Sequence, residues 1–243
     1  MNKALVYHTI SSPGDPMPAE TSISPERFEA HLRWLAKRRD KVVPLKKFLS
    51  ARESDNLLAV TFDDGLSGNI AAALPLLEEY NLPFTLFMVA GYIGEKGYLS
   101  AAELRELAAH PLATIGSRGI WHRPLTLLSD DEAMYEFSES KKRIESVTGR
   151  RTDFFAYPYG DCNGRIAYLC GKAGYRSAWT VCNSPASPFS RWRVPVTSRD
   201  SVLRLAAKLT PFYFPIKRWI GPGRVETVHE NFVLQSYRQN QWS

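Results

Sequence analysis

Short apolar runs alternate with amphipathic helical stretches along most of this 243-residue chain. That alternation constrains the fold more than any other feature. Residues 5–7, 42–43, 57–62, 84–89, 113–115, 154–157, 177–181 and 193–196 read as short, mostly apolar strands. Between them lie helical signals. Ser24-Pro25-Glu26 opens one helix, with Phe28, Leu32 and Leu35 on one apolar face. Residues 71–80 and 165–172 read as two more. Ser100-Ala101-Ala102-Glu103 and Ser129-Asp130-Asp131-Glu132 are capping boxes, the second opening a helix to about residue 147. Strands alternating with helices imply a mostly parallel sheet with the helices outside it. Seven or eight such units predict an α/β barrel, closed or nearly so. In folds of this kind a site forms at the C-terminal ends of the strands.

Hydrophobic residues make up 44% and charged residues 23%, which excludes gross disorder. No apolar run approaches the roughly 18–20 residues that a membrane-crossing helix needs. The opening, Met1 to His8, is too quickly polar for a secretory signal, so a cytoplasmic location is expected. Cys162, Cys170 and Cys182 form no C-x-x-C pair and read as reduced thiols. The formal net charge of +6 is concentrated late in the chain. Arg191, Arg193, Arg199, Arg204, Lys208, Lys217, Arg218 and Arg224 are opposed only by Asp200. Within this stretch, residues 211–220 interleave aromatic rings with Lys217 and Arg218. Such a pattern suits peripheral contact with a membrane surface, or equally a basic face packed on the domain. No motif supports nucleic-acid binding. The expected division is a domain over residues 1–200 and a basic, aromatic extension over 201–243.

Three polar clusters follow strand-like runs. The first is Thr61-Phe62-Asp63-Asp64-Gly65. Adjacent carboxylates at a strand end can take different jobs, one as a metal ligand and one as a base. Asp-Gly is equally a common turn pair. The second runs from Gly116 through Ser117, Arg118, Trp121 and His122 to Leu125. A lone histidine such as His122 is more often hydrogen-bonded structure than a ligand. The third is Phe155-Ala156-Tyr157-Pro158-Tyr159-Gly160-Asp161. It reads as a stiff aromatic wall on which a sugar ring could pack, or as a simple strand-ending turn.

In combination, order and spacing, these clusters resemble the NodB-like polysaccharide deacetylases, from Val6-Tyr7-His8 to about Val196. The resemblance implies a distorted (β/α) barrel of about seven parallel strands. It implies metal-assisted removal of an acetyl group from a sugar. Carried over by position, Asp63 is the catalytic base, while Asp64 and His122 are ligands of a zinc-like divalent metal. Tyr159 lies in the part lining the acetyl pocket and helping to hold the oxyanion, with Tyr157, Pro158, Gly160 and Trp121 as substrate-binding residues.

The pattern breaks at Arg118, where the family has a metal-binding histidine. A guanidinium stays protonated and offers no lone pair, so the metal site is incomplete. His8 and Asp161 are candidates for a recruited ligand. Ala156 stands where many relatives carry an arginine that orients the catalytic aspartate. The one late histidine, His229, lies in a segment that is not strand-like. Three readings therefore stay open. The chain is a metal-assisted hydrolase with a recruited ligand, a metal-independent hydrolase using Arg118, or a non-catalytic carbohydrate-binding protein. The expected substrate is an acylated sugar, lipid-linked or nucleotide-linked, used in cell-surface polysaccharide biosynthesis.

Overall fold

The computed structural model describes residues 2–10, 20–182, 187–210 and Tyr213. Among these residues nine strands form in chain order: β1 (Lys3–Tyr7), β2 (Thr9–Ile10), β3 (Ser22–Ile23), β4 (Leu58–Phe62), β5 (Phe84–Met88), β6 (Ala113–Ser117), β7 (Phe154–Ala156), β8 (Ser177–Thr180) and β9 (Arg191–Pro195). Six helices accompany them: α1 (Pro25–Ala36), α2 (Ser67–Glu79), α3 (Ala101–Ala109), α4 (Asp130–Thr148), α5 (Gly164–Lys172) and α6 (Val202–Lys208). Seven strands close a parallel barrel in the order β1-β4-β5-β6-β7-β8-β9, and β2 pairs with β3 apart from it. The barrel expected from the alternation is thus present.

Strand alternation sorts the apolar residues into two layers. Leu5, Tyr7, Val60, Phe62, Phe84, Leu86 and Met88 pack with Phe28, Leu32 and Leu104 of the helices. Ala4, Ala59, Phe87, Phe154, Ala156 and Trp179 instead cluster with Leu45 and Phe48. The second set lines the barrel interior, where small residues leave room for larger ones. Ala4 stands beside Ala59 on one side and Arg193 on the other. Counting along β4 by twos from Ala59, the same face carries Thr61 and then Asp63.

Residues 42–43 do not form the expected strand. Val42 makes a single parallel bridge to Leu58. Pro44 then starts a 3₁₀ turn over Leu45–Leu49, which ends the extended run. Both capping boxes form, with Ser100 and Ser129 accepting from Glu103 and Glu132 backbone N–H groups. Helix α2 begins at Ser67, four residues before the apolar pattern makes it visible.

The packed unit continues past residue 200. Leu205 of α6 is fully buried in the main core. Lys208 Nζ donates to Pro195 O (2.8 Å) and to Asp200 Oδ2, stitching α6 to the end of β9. Lys208 is therefore buried structure and not part of a solvated basic face. Of the interleaved segment at 211–220, only Tyr213 lies among the described residues; His229 lies outside them. Among the described residues, no helix is long and apolar enough to cross a membrane. The three cysteines are free thiols, as expected.

Candidate active site

His8, Asp63, Asp64, Arg118, Tyr157 and Arg193 each lie on a barrel strand or just past its C-terminal end. Asp63 and Asp64 follow β4, and Asp63 N–H continues the ladder by donating to Tyr7 O at 3.1 Å. Arg118 follows β6, its N–H donating to Met88 O at 2.9 Å. Tyr157 follows β7, donating to Trp179 O at 3.0 Å. His8 follows β1. Arg193 projects from within β9.

Backbone strain gathers here. Asp64, His122 and Tyr159 take positive φ values of 73°, 54° and 58°. Such conformations are unfavourable for residues with a Cβ, and they cluster at sites where the surroundings enforce a geometry. Gly65, at φ 87°, completes the turn that splits the two aspartates. A Cβ there would lie 2.1 Å from Met88 Sδ, so only glycine fits. Because the chain turns between them, Asp63 points to the barrel axis and Asp64 to its mouth.

Asp63 is wholly buried and paired with two guanidinium groups. Arg193 Nη1 and Nη2 donate to Asp63 Oδ1 and Oδ2 at 2.6 and 2.9 Å, a bidentate fork. Arg193 Nη1 also donates to Thr61 Oγ1 at 3.1 Å, and its guanidinium lies 5.0 Å from the Phe87 ring centre. Arg118 Nη1 lies 2.8 Å from Asp63 Oδ2 and donates to Tyr157 O at 3.0 Å. Burial alone would raise the Asp63 carboxyl, but Arg118 and then Arg193 outweigh it and hold the group below the usual carboxylate range. Arg193 is therefore no part of a basic outer face. It approaches Asp63 from the closing strand, where Ala156 in β7 offers no arginine.

Arg118 also organises the other half of the site. Its Nε lies 2.8 Å from Asp64 Oδ1 and 3.1 Å from His122 Nε2. The same two atoms, Asp64 Oδ1 and His122 Nε2, are 3.4 Å apart. Two atoms with the chemistry of metal ligands thus converge on one guanidinium N–H. Burial opposes the charge on Asp64, yet Arg118 and His122 keep its carboxyl strongly lowered. In return, Asp63 and Asp64 raise Arg118 despite its burial.

This donor set does not fit a divalent metal. Catalytic zinc takes three protein ligands with lone pairs. Here a cation already occupies the point between two of them, and its N–H has no lone pair to give. Among the described residues, no three His, Cys, Asp or Glu side chains group so as to hold an ion. Neither proposed recruit completes the set. His8 Nε2 does face the same mouth, but on the Asp63 side, 4.0 Å from Oδ2. Asp161 spends its carboxylate on Thr126, accepting from the backbone N–H at 2.9 Å and from Oγ1 at 2.8 and 2.7 Å.

The aromatic wall read from Tyr157 to Gly160 needs correction. Tyr157 and Pro158 are buried, as is Gly160. Tyr157 Oη donates to Phe189 O at 2.8 Å, so its ring belongs to the core and only its carbonyl serves the site. Tyr159 alone turns outward, by its positive φ, and meets His122 edge-on with ring centres 4.6 Å apart. Trp121 is exposed next to His122. Two further residues escaped the sequence reading. Tyr98 meets the Tyr92 ring at a tilt (4.8 Å between centres), and burial, then Asp64, push its phenol up to about 12. Glu136 of α4 is buried and accepts the Ile120 and Trp121 N–H groups at 2.6 and 3.3 Å. It thereby pins the loop that carries His122.

Comparison with known proteins gives the family and the fold. Residues 50–178 match the family described as polysaccharide deacetylase. The Bacillus subtilis protein YxkH, which carries a polysaccharide deacetylase name, is 30% identical over 188 residues, or 75% of this chain. The chain spans 65% of that relative's length. The poly-β-1,6-N-acetyl-D-glucosamine N-deacetylase of Staphylococcus aureus is 24% identical over 220 residues, covering 82% of this chain and 72% of that protein. Among solved structures, IcaB from Ammonifex degensii superposes with a TM-score of 0.73 at 24% identity, covering 86% of this chain and 96% of that one. BC0361, a polysaccharide deacetylase from Bacillus cereus, gives 0.78 at 22% identity, covering 86% and 69%. At these identities the structural likeness is one of fold.

Proposed function

This chain belongs to the polysaccharide deacetylase family, and we propose that it hydrolyses the acetamide of an N-acetylated amino sugar used in cell-surface polysaccharide biosynthesis. The substrate is the polymer or a lipid-linked or nucleotide-linked precursor. The observation that carries this reading is the placement of Asp63, Asp64, Arg118 and His122 together at one barrel mouth. It is joined by the relatives' activity on poly-N-acetylglucosamine.

In this reading Arg118 supplies a fixed positive charge at the mouth. The acyl oxygen lies against that guanidinium, and charge building on it during attack is stabilised by a donor already in place. Water attacks the acyl carbon, and Asp63 takes the water's proton. The C–N bond breaks, acetate departs and the amine nitrogen receives a proton. Asp63 passes the water's proton to the neutral ring of His8, 4.0 Å away across the mouth, and His8 delivers it to the amine nitrogen as the C–N bond breaks. Burial first, only partly offset by Asp63 and Asp64, holds His8 below its ordinary range, so its ring is neutral in the resting site. Arg193 positions Asp63 rather than touching the sugar. Tyr159 borders the acetyl group beside His122.

A guanidinium stabilises an oxyanion but does not activate water as a metal does. A carboxylate held low by two arginines is also a weak base. Turnover is therefore slow, and the non-catalytic sugar-binding reading is the direct competitor. The test is acetate release from N-acetylglucosamine oligomers by wild type and Asp63→Asn. The proposal expects slow release by wild type and about a hundredfold or greater loss in the variant. Equal release by both, or none from wild type with oligomer binding intact, overturns it.

A further inference from the structure

Two strained residues at the mouth come from different loops. His122, at φ 54°, follows β6, and Tyr159, at φ 58°, follows β7. Their rings meet edge-on with centres 4.6 Å apart. Such conformations persist only where neighbouring contacts enforce them. Glu136 holds the His122 loop from its upstream side, through the Ile120 and Trp121 N–H groups. On the downstream side the carboxylate of Asp161 joins the two loops. Its Oδ2 accepts from Thr126 N–H at 2.9 Å, and Oδ1 and Oδ2 accept from Thr126 Oγ1 at 2.8 and 2.7 Å. The Asp161 N–H donates to Pro158 O at 3.0 Å, closing the turn that carries Tyr159. Asp161 is thus two residues from Tyr159 in the chain, and its partner Thr126 is four residues from His122. The link from Thr126 back to His122 is short and stiff. Pro124 sits in it at φ −64°, and a residue ahead of proline, here Arg123, is restricted to extended backbone. Arg165 makes the fastening double, its Nη2 donating to Thr126 O and Leu128 O at 3.1 and 2.9 Å. Leu125 is fully buried in the core that holds Tyr157, so apolar packing seats the loop. Packing is non-directional, whereas the hydrogen bonds to Asp161 fix an orientation.

We propose that Asp161 is a positioning residue: through Thr126 it sets His122 against Tyr159 and so fixes the wall of the mouth that borders the acyl group. It touches neither the sugar nor the reacting atoms. Its effect on turnover rests on the proposed reaction, but its effect on the geometry of the mouth does not. A carboxylate that the sequence offers as a metal ligand thereby serves the site by tying two strand-end loops together.

The test compares wild type, Asp161→Ala and Asp161→Asn as full chains, each shown by urea unfolding to be folded. Asparagine keeps an acceptor for the Thr126 N–H and an amide that donates to Oγ1, so it is the conservative variant. The first readout is the NMR shift of the His122 ring protons, which the adjoining Tyr159 ring displaces. Tyr159→Leu gives the value without that ring. Asp161→Ala should move the His122 signals toward the Tyr159→Leu value, and Asp161→Asn should leave them near wild type. The second readout is acetate release from N-acetylglucosamine oligomers. Asp161→Ala should lower kcat about tenfold or more with KM nearly unchanged, as a misplaced site wall does, and Asp161→Asn should restore most of it. If Asp161→Ala does not fold, Thr126→Val, which removes only the hydroxyl bonds, should shift both readouts in the same direction. Unmoved His122 signals in a folded Asp161→Ala or Thr126→Val, or equal shifts in the alanine and asparagine variants, overturn the role of Asp161. Wild type that releases no acetate defeats the hydrolase reading alone, and the ring signals still decide this one.

Discussion

Asp63 is one carboxylate shared by two guanidinium groups, and both partners are buried with it. Removing one member of a buried ion pair costs about 3–5 kcal/mol when the remaining charge is stranded. In Arg193→Met, Arg118 still faces Asp63, so thermal or urea unfolding should show a loss near the lower end of that range. Arg193→Lys keeps the charge but not the fork. It should fold, and it should lower kcat for acetate release with little change in KM, as expected of a residue that positions the base. The aspartates also set an acid limit. Asp63 and Asp64 are both held below their unfolded range in the folded chain. The folded state therefore binds fewer protons than the unfolded one as pH falls through about 4. Stability present above that pH is lost below it. Urea midpoints measured across this window should drop steeply, and Asp64→Asn should flatten the drop.

At the scale of elements, the loop after β6 carries the functional weight. Gly119, at φ 79°, lets the chain turn beneath Glu136; a Cβ there would lie 2.9 Å from Glu136 Oε2. That carboxylate then holds the Ile120 and Trp121 N–H groups, which fixes His122. Helix α4 supplies Glu136, and its Ser129 cap steadies the helix start. Ser129→Ala should cost about 1 kcal/mol in unfolding experiments while leaving site geometry in place. Features of this local kind were legible in the sequence. Ser-x-x-Glu marks a helix start because its bonds close within four residues. Asp63 and Asp64 were legible because an apolar run leads straight into them. Arg193 was not. Nothing near it in the chain marks it as buried, and its role depends on β9 closing the barrel between β8 and β1. Tyr157 was misjudged for the converse reason: neighbouring aromatic residues fall on opposite faces, and only the backbone shows which one faces the mouth.

For the whole molecule, closure of seven parallel strands brings distant residues to one rim. His8, Asp63, Arg118, Tyr159 and Arg193 span most of the chain, yet four follow strand ends and Arg193 reaches Asp63 from inside the wall. The same closure puts a cation at the point where Asp64 and His122 converge. In the proposed reaction, Arg118 takes the place of a metal in this site. The measurement is metal content together with acetate release from N-acetylglucosamine oligomers, made on chelator-treated wild type and Arg118→His before and after zinc is returned. Wild type is expected to hold no zinc and to release acetate slowly, with a rate that ignores both chelator and zinc. Arg118→His is expected to take up about one zinc per chain through the introduced imidazole, Asp64 and His122, with release that depends on it. Stoichiometric zinc in wild type, with release abolished by the chelator and restored by zinc, would show instead that a metal works in this site.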